Sequence, residues 1–395
     1  MKIALLGAGH IGQTIARWLH ASGDYTLCVI DKNAAALAPL AAEGIGTSVV
    51  DTEDSAALLA ELHRGHQTVV NALPYHLAVA TATLAREAGC HYFDLTEDVA
   101  ATSAIKRLAE GAPTAFMPQC GLAPGFIGIV AHHLARGFET LQEVKMRVGA
   151  LPAFPTNALK YNLTWSVDGL INEYCHPCEA IHEGRKIDLL PLEGLEHFSL
   201  DGTEYEAFNT SGGLGTLCDT LAGRVRTLDY KSVRYPGHRM LMKLLLEELQ
   251  LKDDPALLKD ILRKSLPGTM QDVVLVFVTV SGRRDGKLVQ EVFARKIFAD
   301  RGPQATMPDR ANQARPTAAA AVPAPARPWE QADRAPLSAI QITTAAGICA
   351  ALDLFREGRL PASGFIRQEQ VELPTFLANR FGSAYQQSRQ VESIS

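Results

Sequence analysis

Short apolar runs alternate with amphipathic stretches along the first 123 residues: 3–6 then 11–19, 26–30 then 34–42, 68–70 then 77–88. This alternation predicts repeated strand–helix units wound into a parallel sheet. Further apolar runs at 91–93 and 115–117 continue it, so about six strands are expected. Beyond Pro124 the rhythm changes. Longer alternating runs at 141–148, 224–233, 273–281 and 287–298, interrupted by helical patterns at 214–221 and 238–249, predict a second domain on a mixed or antiparallel sheet. Between the last two runs, Gly282-Arg283-Arg284-Asp285-Gly286 ends in Asp-Gly and predicts a hairpin. Residues 301–336 hold Ala318 to Ala321 and then Pro323, Pro325 and Pro328, a composition that supplies no core and reads as a disordered loop. Helical spacing returns at 338–354 and 368–381, predicting a C-terminal segment, 337–395, that packs on an earlier domain. The chain thus divides into 1–123, 124–300, the 301–336 loop and this returning segment, α/β in class.

Composition narrows the functions such a chain can serve. With 395 residues, 47% hydrophobic and 21% charged, each domain is large enough to bury a core, and a cleft between domains is available to an enzyme. Lysine and arginine number 38 against 43 acidic residues, and the net charge of -5 gives nucleic acid or anionic lipid no electrostatic hold. Seven cysteines, at 28, 90, 120, 175, 178, 218 and 349, form an odd, dispersed set that suits a reducing cytoplasm better than a disulfide framework. The apolar start at 3–6 meets glycine too soon for a signal peptide, and the apolar strand run 273–280 is far below the about 20 residues of a membrane helix. A soluble, cytoplasmic protein without a membrane partner is expected.

The strongest local signal is Gly7-Ala8-Gly9-His10-Ile11-Gly12, between an apolar run and an amphipathic one. A strand–turn–helix there matches a dinucleotide fingerprint. Gly7 allows the tight turn, Gly9 lets the pyrophosphate approach the backbone amides around His10 and Ile11, and Gly12 permits close packing of the helix. Asp31 stands 19 residues after Gly12, at the end of the 26–30 run, where a carboxylate binds the ribose hydroxyls and repels a 2'-phosphate. NAD is therefore favoured over NADP, with Lys32 beside it softening the preference. The plainer alternative is that Asp31 caps the helix starting near Asn33.

In such a sheet the ligand lies beyond the carboxyl ends of the strands, which nominates three loops: 72–76, 94–98 and 120–125. Leu73 and Pro74 in the first are expected against the cofactor. His76 and Glu97 are the candidate acid–base groups, each equally able to cap the helix that follows. In the second domain Tyr161-Asn162-Leu163-Thr164-Trp165-Ser166 leads to Asp168, Glu173 and Tyr174. From spacing alone this reads as a strand with half-buried Tyr and Trp and a helix capped by Ser166. Arg234, in Arg234-Tyr235-Pro236-Gly237-His238, either forks onto a substrate carboxylate or bridges surface acids. Cys175-His176-Pro177-Cys178 has half-zinc-site spacing without a second pair, and His132-His133 sits in an apolar helical pattern, so no metal is expected.

The strings LLGAGHIG at 5–12, GLAPG at 121–125, YNLTWSVDGLINEY at 161–174, EAF at 206–208 and RYPGH at 234–238 occur in an order that resembles the saccharopine dehydrogenase-like oxidoreductases. The resemblance covers the chain apart from 301–336 and is nearest to the family's lysine-deaminating branch. It implies a Rossmann domain, a catalytic α/β domain and C-terminal helices that return to the first domain. It further implies NAD-dependent oxidative deamination of the ε-amine of L-lysine. Saccharopine-forming relatives usually carry Asp where this chain has Ala123, and an Arg-bearing NRDS stretch where it has 209–212, so groups that would hold a tricarboxylate are missing. On this reading Glu97 or His76 accepts the amine proton. Arg234 takes the α-carboxylate, with Ala123 and His238 also at the substrate, and Tyr161, Trp165 and Asp168 position it. Relatives form dimers or larger assemblies, so a homodimer is expected. The alternatives are a dehydrogenase of saccharopine or a carboxynorspermidine-type secondary amine using NAD(P), and a non-catalytic dinucleotide sensor.

Overall fold

The structure, a computed structural model, describes residues 1–300, 336–386 and 389–390. The predicted alanine–proline loop therefore lies outside the described residues except for its last position. Strands β1 (Lys2–Leu6), β2 (Thr26–Asp31), β3 (Gly46–Val49), β4 (Thr68–Asn71), β5 (His91–Asp94) and β6 (Ala115–Met117) are all parallel, in the order β6-β5-β4-β1-β2-β3. This is the doubly wound arrangement whose crevice opens between β1 and β4. Helices α1 (His10–Ala21), α2 (Ala34–Ala42), α3 (Ser55–Leu62), α4 (Ala78–Glu87) and α5 (Val99–Leu108) are the crossovers. Because successive strand residues point to opposite faces, Leu5, Val29, Val70 and Phe93 pack with α1, whereas Leu6, Ile30, Val69 and Tyr92 pack with α3, α4 and α5. Strand β3 escapes the periodicity because it is a half-exposed edge strand with little apolar content.

After α6 (Phe126–Ala135) the chain builds a mixed sheet from β7 (Thr140–Pro152), β8 (Cys178–His182), β9 (Arg185–Leu189), β10 (Glu196–Leu200), β11 (Thr203–Asn209), β12 (Val225–Arg234), β13 (Asp272–Arg284) and β14 (Lys287–Phe298). Strands β12 and β7 are parallel and the other pairs antiparallel. The hairpin from β13 to β14 turns on Asp285 and Gly286 alone, both at positive φ, as a two-residue turn between right-twisted strands requires. Helices α7 (Val167–Cys175), α8 (Leu217–Leu221), α9 (His238–Lys243) and α10 (Pro255–Ser265) connect the strands.

The C-terminal segment does return to the first domain. Helix α11 (Ala339–Arg356) packs on α1, a seventh strand β15 (Gly364–Phe365) joins β6 in parallel, and α12 (Leu373–Ala378) follows. The helix expected across 368–381 is instead a single 3-10 turn and this short α12. Asp272, at the start of β13, accepts from the amides of Ala339 and Ile340 and so fixes the start of α11. At its far end Asp353 accepts from the Tyr25 hydroxyl (2.6 Å) and Arg380. Helix α11 is long and apolar enough to cross a membrane by composition, but most of it is buried in protein, as a core helix is. One continuous core runs from the α1 face of the first sheet through α6 and α11 to Val148, Ala150, Tyr230 and the Val274–Val280 row of the second.

Candidate active site

The turn from β1 into α1 is built by backbone geometry. Gly7 has φ 97°, and a Cβ on Gly12 would lie 2.0 Å from the Gly7 carbonyl oxygen, so only glycine closes the turn onto the helix. A Cβ on Gly9 would meet nothing within 4 Å. The amides of His10, Ile11 and Gly12 find no acceptor among the described residues. Open space beside unpaired amides at the positive end of a helix suits the pyrophosphate of a dinucleotide. Asp31 is not the cap of α2, since Asn33 accepts from Ala35 in that role. The Asp31 carboxylate accepts from Ala8 (2.7 Å) and Asn33 (2.8 Å), which holds it beside the glycine turn. Lys32 turns away, to Glu53 at 2.7 Å.

Beyond this turn a cavity of about 1060 Å³, counting its open mouth, separates the two sheets. One wall carries Ile11, Leu73, Pro74, Tyr75, Leu95, Glu97 and Ala123, from α1 and all three loops nominated by the sequence. The opposite wall carries Trp165, Glu173, Tyr230, Ser232 and Arg234. The Asp94 carboxylate ties two of the loops together, accepting from Thr96 and Gln119.

Glu97 reaches across to α7, its Oε1 only 3.1 Å from where a Cβ on Gly169 would sit, so a larger residue there would displace it. Burial lifts the Glu97 carboxyl to about 7, helped by the charges of Asp98 and Asp94 and opposed by the Asn172 side chain. Glu173, one helical turn from Gly169 and 6% exposed, is pushed up to about 8 by burial, drawn back by Arg234 and raised further by Glu97. Arg234 ends β12 at 3% exposure, between the rings of Tyr161 and Tyr174. Burial opposes its charge, but Tyr174, Tyr161 and Glu173 hold its pKa above the usual value. A polar chain anchors it: Arg234 Nε donates to the Tyr174 hydroxyl (3.0 Å), which lies 3.1 Å from His238 Nε2, and His238 Nδ1 meets the Leu159 carbonyl at 2.8 Å. A carbonyl only accepts, so His238 carries its proton on Nδ1 and accepts a hydrogen bond from the Tyr174 hydroxyl at Nε2.

Four residues nominated from the sequence are not brought to the cavity. His76 is exposed on the turn after β4, its ring 5.9 Å from that of Tyr75. Asp168 is ion-paired to Lys259 of α10 at 2.5 Å, because it lies five positions from Glu173 and so on another face of α7. Tyr161 sits behind the wall, accepting from Trp165 Nε1 at 3.0 Å. His238 also lies behind it, and burial followed by Arg234 repulsion lowers its pKa to about 3, leaving it neutral and in a positioning role. Residues 161–166 form no strand, although Ser166 does cap α7. Glu173, Tyr230 and Ser232 went unassigned, yet strand alternation gave the signal: once Arg234 faces the cavity, 232 and 230 must follow. Among the described residues one group of possible metal ligands comes together, Cys28, Glu61 and His66, away from the cavity; the CHPC cysteines do not join it. Glu61 there already accepts from Ser48 and pairs with Arg64.

A doubly wound sheet with a glycine-turn anion site, facing a cavity lined by carboxylates, defines a dinucleotide-dependent oxidoreductase. Residues 3–116 match the saccharopine dehydrogenase NADP binding domain and residues 121–378 the saccharopine dehydrogenase C-terminal domain. The chain belongs to the saccharopine dehydrogenase family. Among solved structures it is similar to apo histidine-tagged saccharopine dehydrogenase (L-Glu forming) from Saccharomyces cerevisiae, at 15% identity, covering 97% of this chain and 96% of that one, TM-score 0.69. It also matches GenD2 from gentamicin A biosynthesis in complex with NAD, at 12% identity over 100% of this chain and 97% of that one, TM-score 0.43. The first of these likenesses is one of fold.

Proposed function

We propose that the chain oxidises the ε-amine of L-lysine with NAD, releasing ammonia and the 6-semialdehyde, which cyclises to a piperideine carboxylate. The observation that carries this reading is the pair of carboxylates, Glu97 and Glu173, facing a cavity beside the dinucleotide loops. Acidic groups also stand by the cavity: after burial, the charges of Asp98 and Glu97 raise the Tyr75 phenol pKa. Such a field draws a cation inward.

When bound, the nicotinamide accepts a hydride from the carbon bearing the nitrogen. Free lysine has an amine pKa of about 10.4, so that nitrogen must first lose a proton. Glu97, beside Tyr75 and Leu95 on the cofactor wall, takes it; a carboxyl titrating at about 7 is matched to such transfer. Water then adds to the iminium carbon, and the carbinolamine expels ammonia. Arg234 holds the α-carboxylate and Trp165 covers the methylene chain. Only ionised Glu97 accepts a proton, so turnover falls as pH drops through about 7 and favours alkaline conditions. An acid-shifted optimum would contradict the scheme.

Asp31 supports NAD, its carboxylate standing where a 2'-phosphate would be repelled and Lys32 being drawn to Glu53. The second reading, oxidation of saccharopine or a related secondary amine, is favoured by the family itself. Against it stand Ala123, which brings no acid to the cavity, and a lining that among the described residues holds one arginine, Arg234. Product analysis separates the two: lysine oxidation yields one ammonia per reduced cofactor, whereas saccharopine cleavage yields a second amino acid and no ammonia.

A further inference from the structure

We propose that Glu173 and Arg234 together form a subsite for the head group of a free α-amino acid, Glu173 taking the α-ammonium and Arg234 the α-carboxylate. The subsite rests on the amino-acid reading of the cavity above but not on which carbon is oxidised.

Both side chains line the cavity and both are almost fully buried. Arg234 spends Nε on Tyr174 and Nη1 on the Val233 carbonyl, and Nη2 has no hydrogen-bond partner among the described residues. The Glu173 carboxylate likewise accepts no hydrogen bond, and the two form no ion pair, although each feels the other's charge. A buried carboxyl without a hydrogen-bond partner is costly whether protonated or ionised, and native structures seldom keep one except where a ligand completes it. An opposed acid and guanidinium, near but not touching, complement a zwitterion whose ammonium and carboxylate share one carbon. Glu97 is the poorer candidate for the ammonium, since it starts from the dinucleotide loops beside Tyr75 and Leu95, whereas Glu173 stands on the wall of Arg234 and the two bear on each other's charge. The α-carbon is thereby set against the second sheet and the far end of the side chain toward the cofactor.

The test uses two probes that lack an ε-amine, L-norleucine and hexanoate, titrated calorimetrically into the full chain with saturating NAD. Wild type should bind norleucine at least about tenfold tighter than hexanoate, the worth of one charge-assisted hydrogen bond. Glu173→Gln should abolish that preference while leaving hexanoate binding unchanged, and Glu173→Asp should retain part of it. Undiminished norleucine binding in Glu173→Gln, equal weakening of both probes, or no norleucine binding by wild type overturns the subsite. Lysine oxidation is measured on the same wild-type preparation. Norleucine selectivity without lysine turnover would leave the subsite standing and sink the deamination, and turnover without selectivity would do the reverse.

Discussion

The two walls of the cavity are made by different means. The cofactor wall holds its ligand through backbone, a glycine turn, unpaired amides at the start of α1 and loops tied by Asp94, and sends one side chain, Glu97, across toward α7. The substrate wall is side chain: Glu173 from α7 and Arg234 from β12, held by a Tyr174–His238 chain. Backbone recognition suits an invariant ligand, because it depends on local conformation rather than on side-chain identity. Buried charged side chains suit a ligand to be distinguished from its analogues, because each one left unpaired carries a penalty.

Substitutions of the charged side chains and of the cofactor turn should therefore fail differently. The largest effect is expected from Glu97→Gln, which removes the proton acceptor: kcat should fall by about 10²–10⁴-fold, with NAD affinity unchanged. Arg234→Met should raise the KM for lysine by about 30-fold or more, the penalty for removing one partner of a buried charged contact, and lysine at 234 should not restore it. On the cofactor wall, Gly12→Ala forces a Cβ against the Gly7 carbonyl and should weaken NAD binding by about tenfold, read by fluorescence titration. Asp31→Ala should narrow the NAD-over-NADP ratio by about tenfold, the value of a hydrogen bond to a charged group; an unchanged ratio would remove Asp31 from cofactor choice. The smallest effect belongs to Asp168→Asn. Its pair with Lys259 is partly exposed, so stability should change by less than about 1 kcal/mol and kcat/KM should hardly move.

The buried acid of α7 also shows in stability. Glu173 titrates at about 8 in the fold against an ordinary 4.5, so the native state retains a proton that the unfolded chain releases. Its contribution is full below the ordinary value and is lost as pH rises through about 8. Glu173→Gln should accordingly melt higher than wild type in alkaline buffer and alike in acid.

What could be read from the sequence follows the same division. The glycine spacing, Asp31 and the strand–helix rhythm are local signals, and the structure keeps them together because they lie within one β-α-β unit. The charged groups of the cavity, Glu97 on one wall and Glu173 and Arg234 on the other, come from three distant segments, and nothing local distinguishes a cavity-facing carboxylate from an ion-paired one. Asp168 looked as suitable as Glu173 until the helix phase turned it toward Lys259. His76 was plausible by loop position alone, and only the 3-10 turn at Tyr75–Leu77 points it outward. The strands between 178 and 200 were missed because their alternation is half-exposed and short.

The division of labour is tested most directly by the double variant Glu97→Gln/Arg234→Met. Its dissociation constant for NADH would be measured by fluorescence beside its rate of lysine-dependent NAD reduction. NADH binding within about twofold of wild type, together with a loss of at least about 10³-fold in kcat/KM, is the expected result. Lysine turnover that survives the double substitution, or NADH binding that collapses along with it, would contradict the assignment of chemistry to these charged side chains and of cofactor binding to the backbone of the glycine turn.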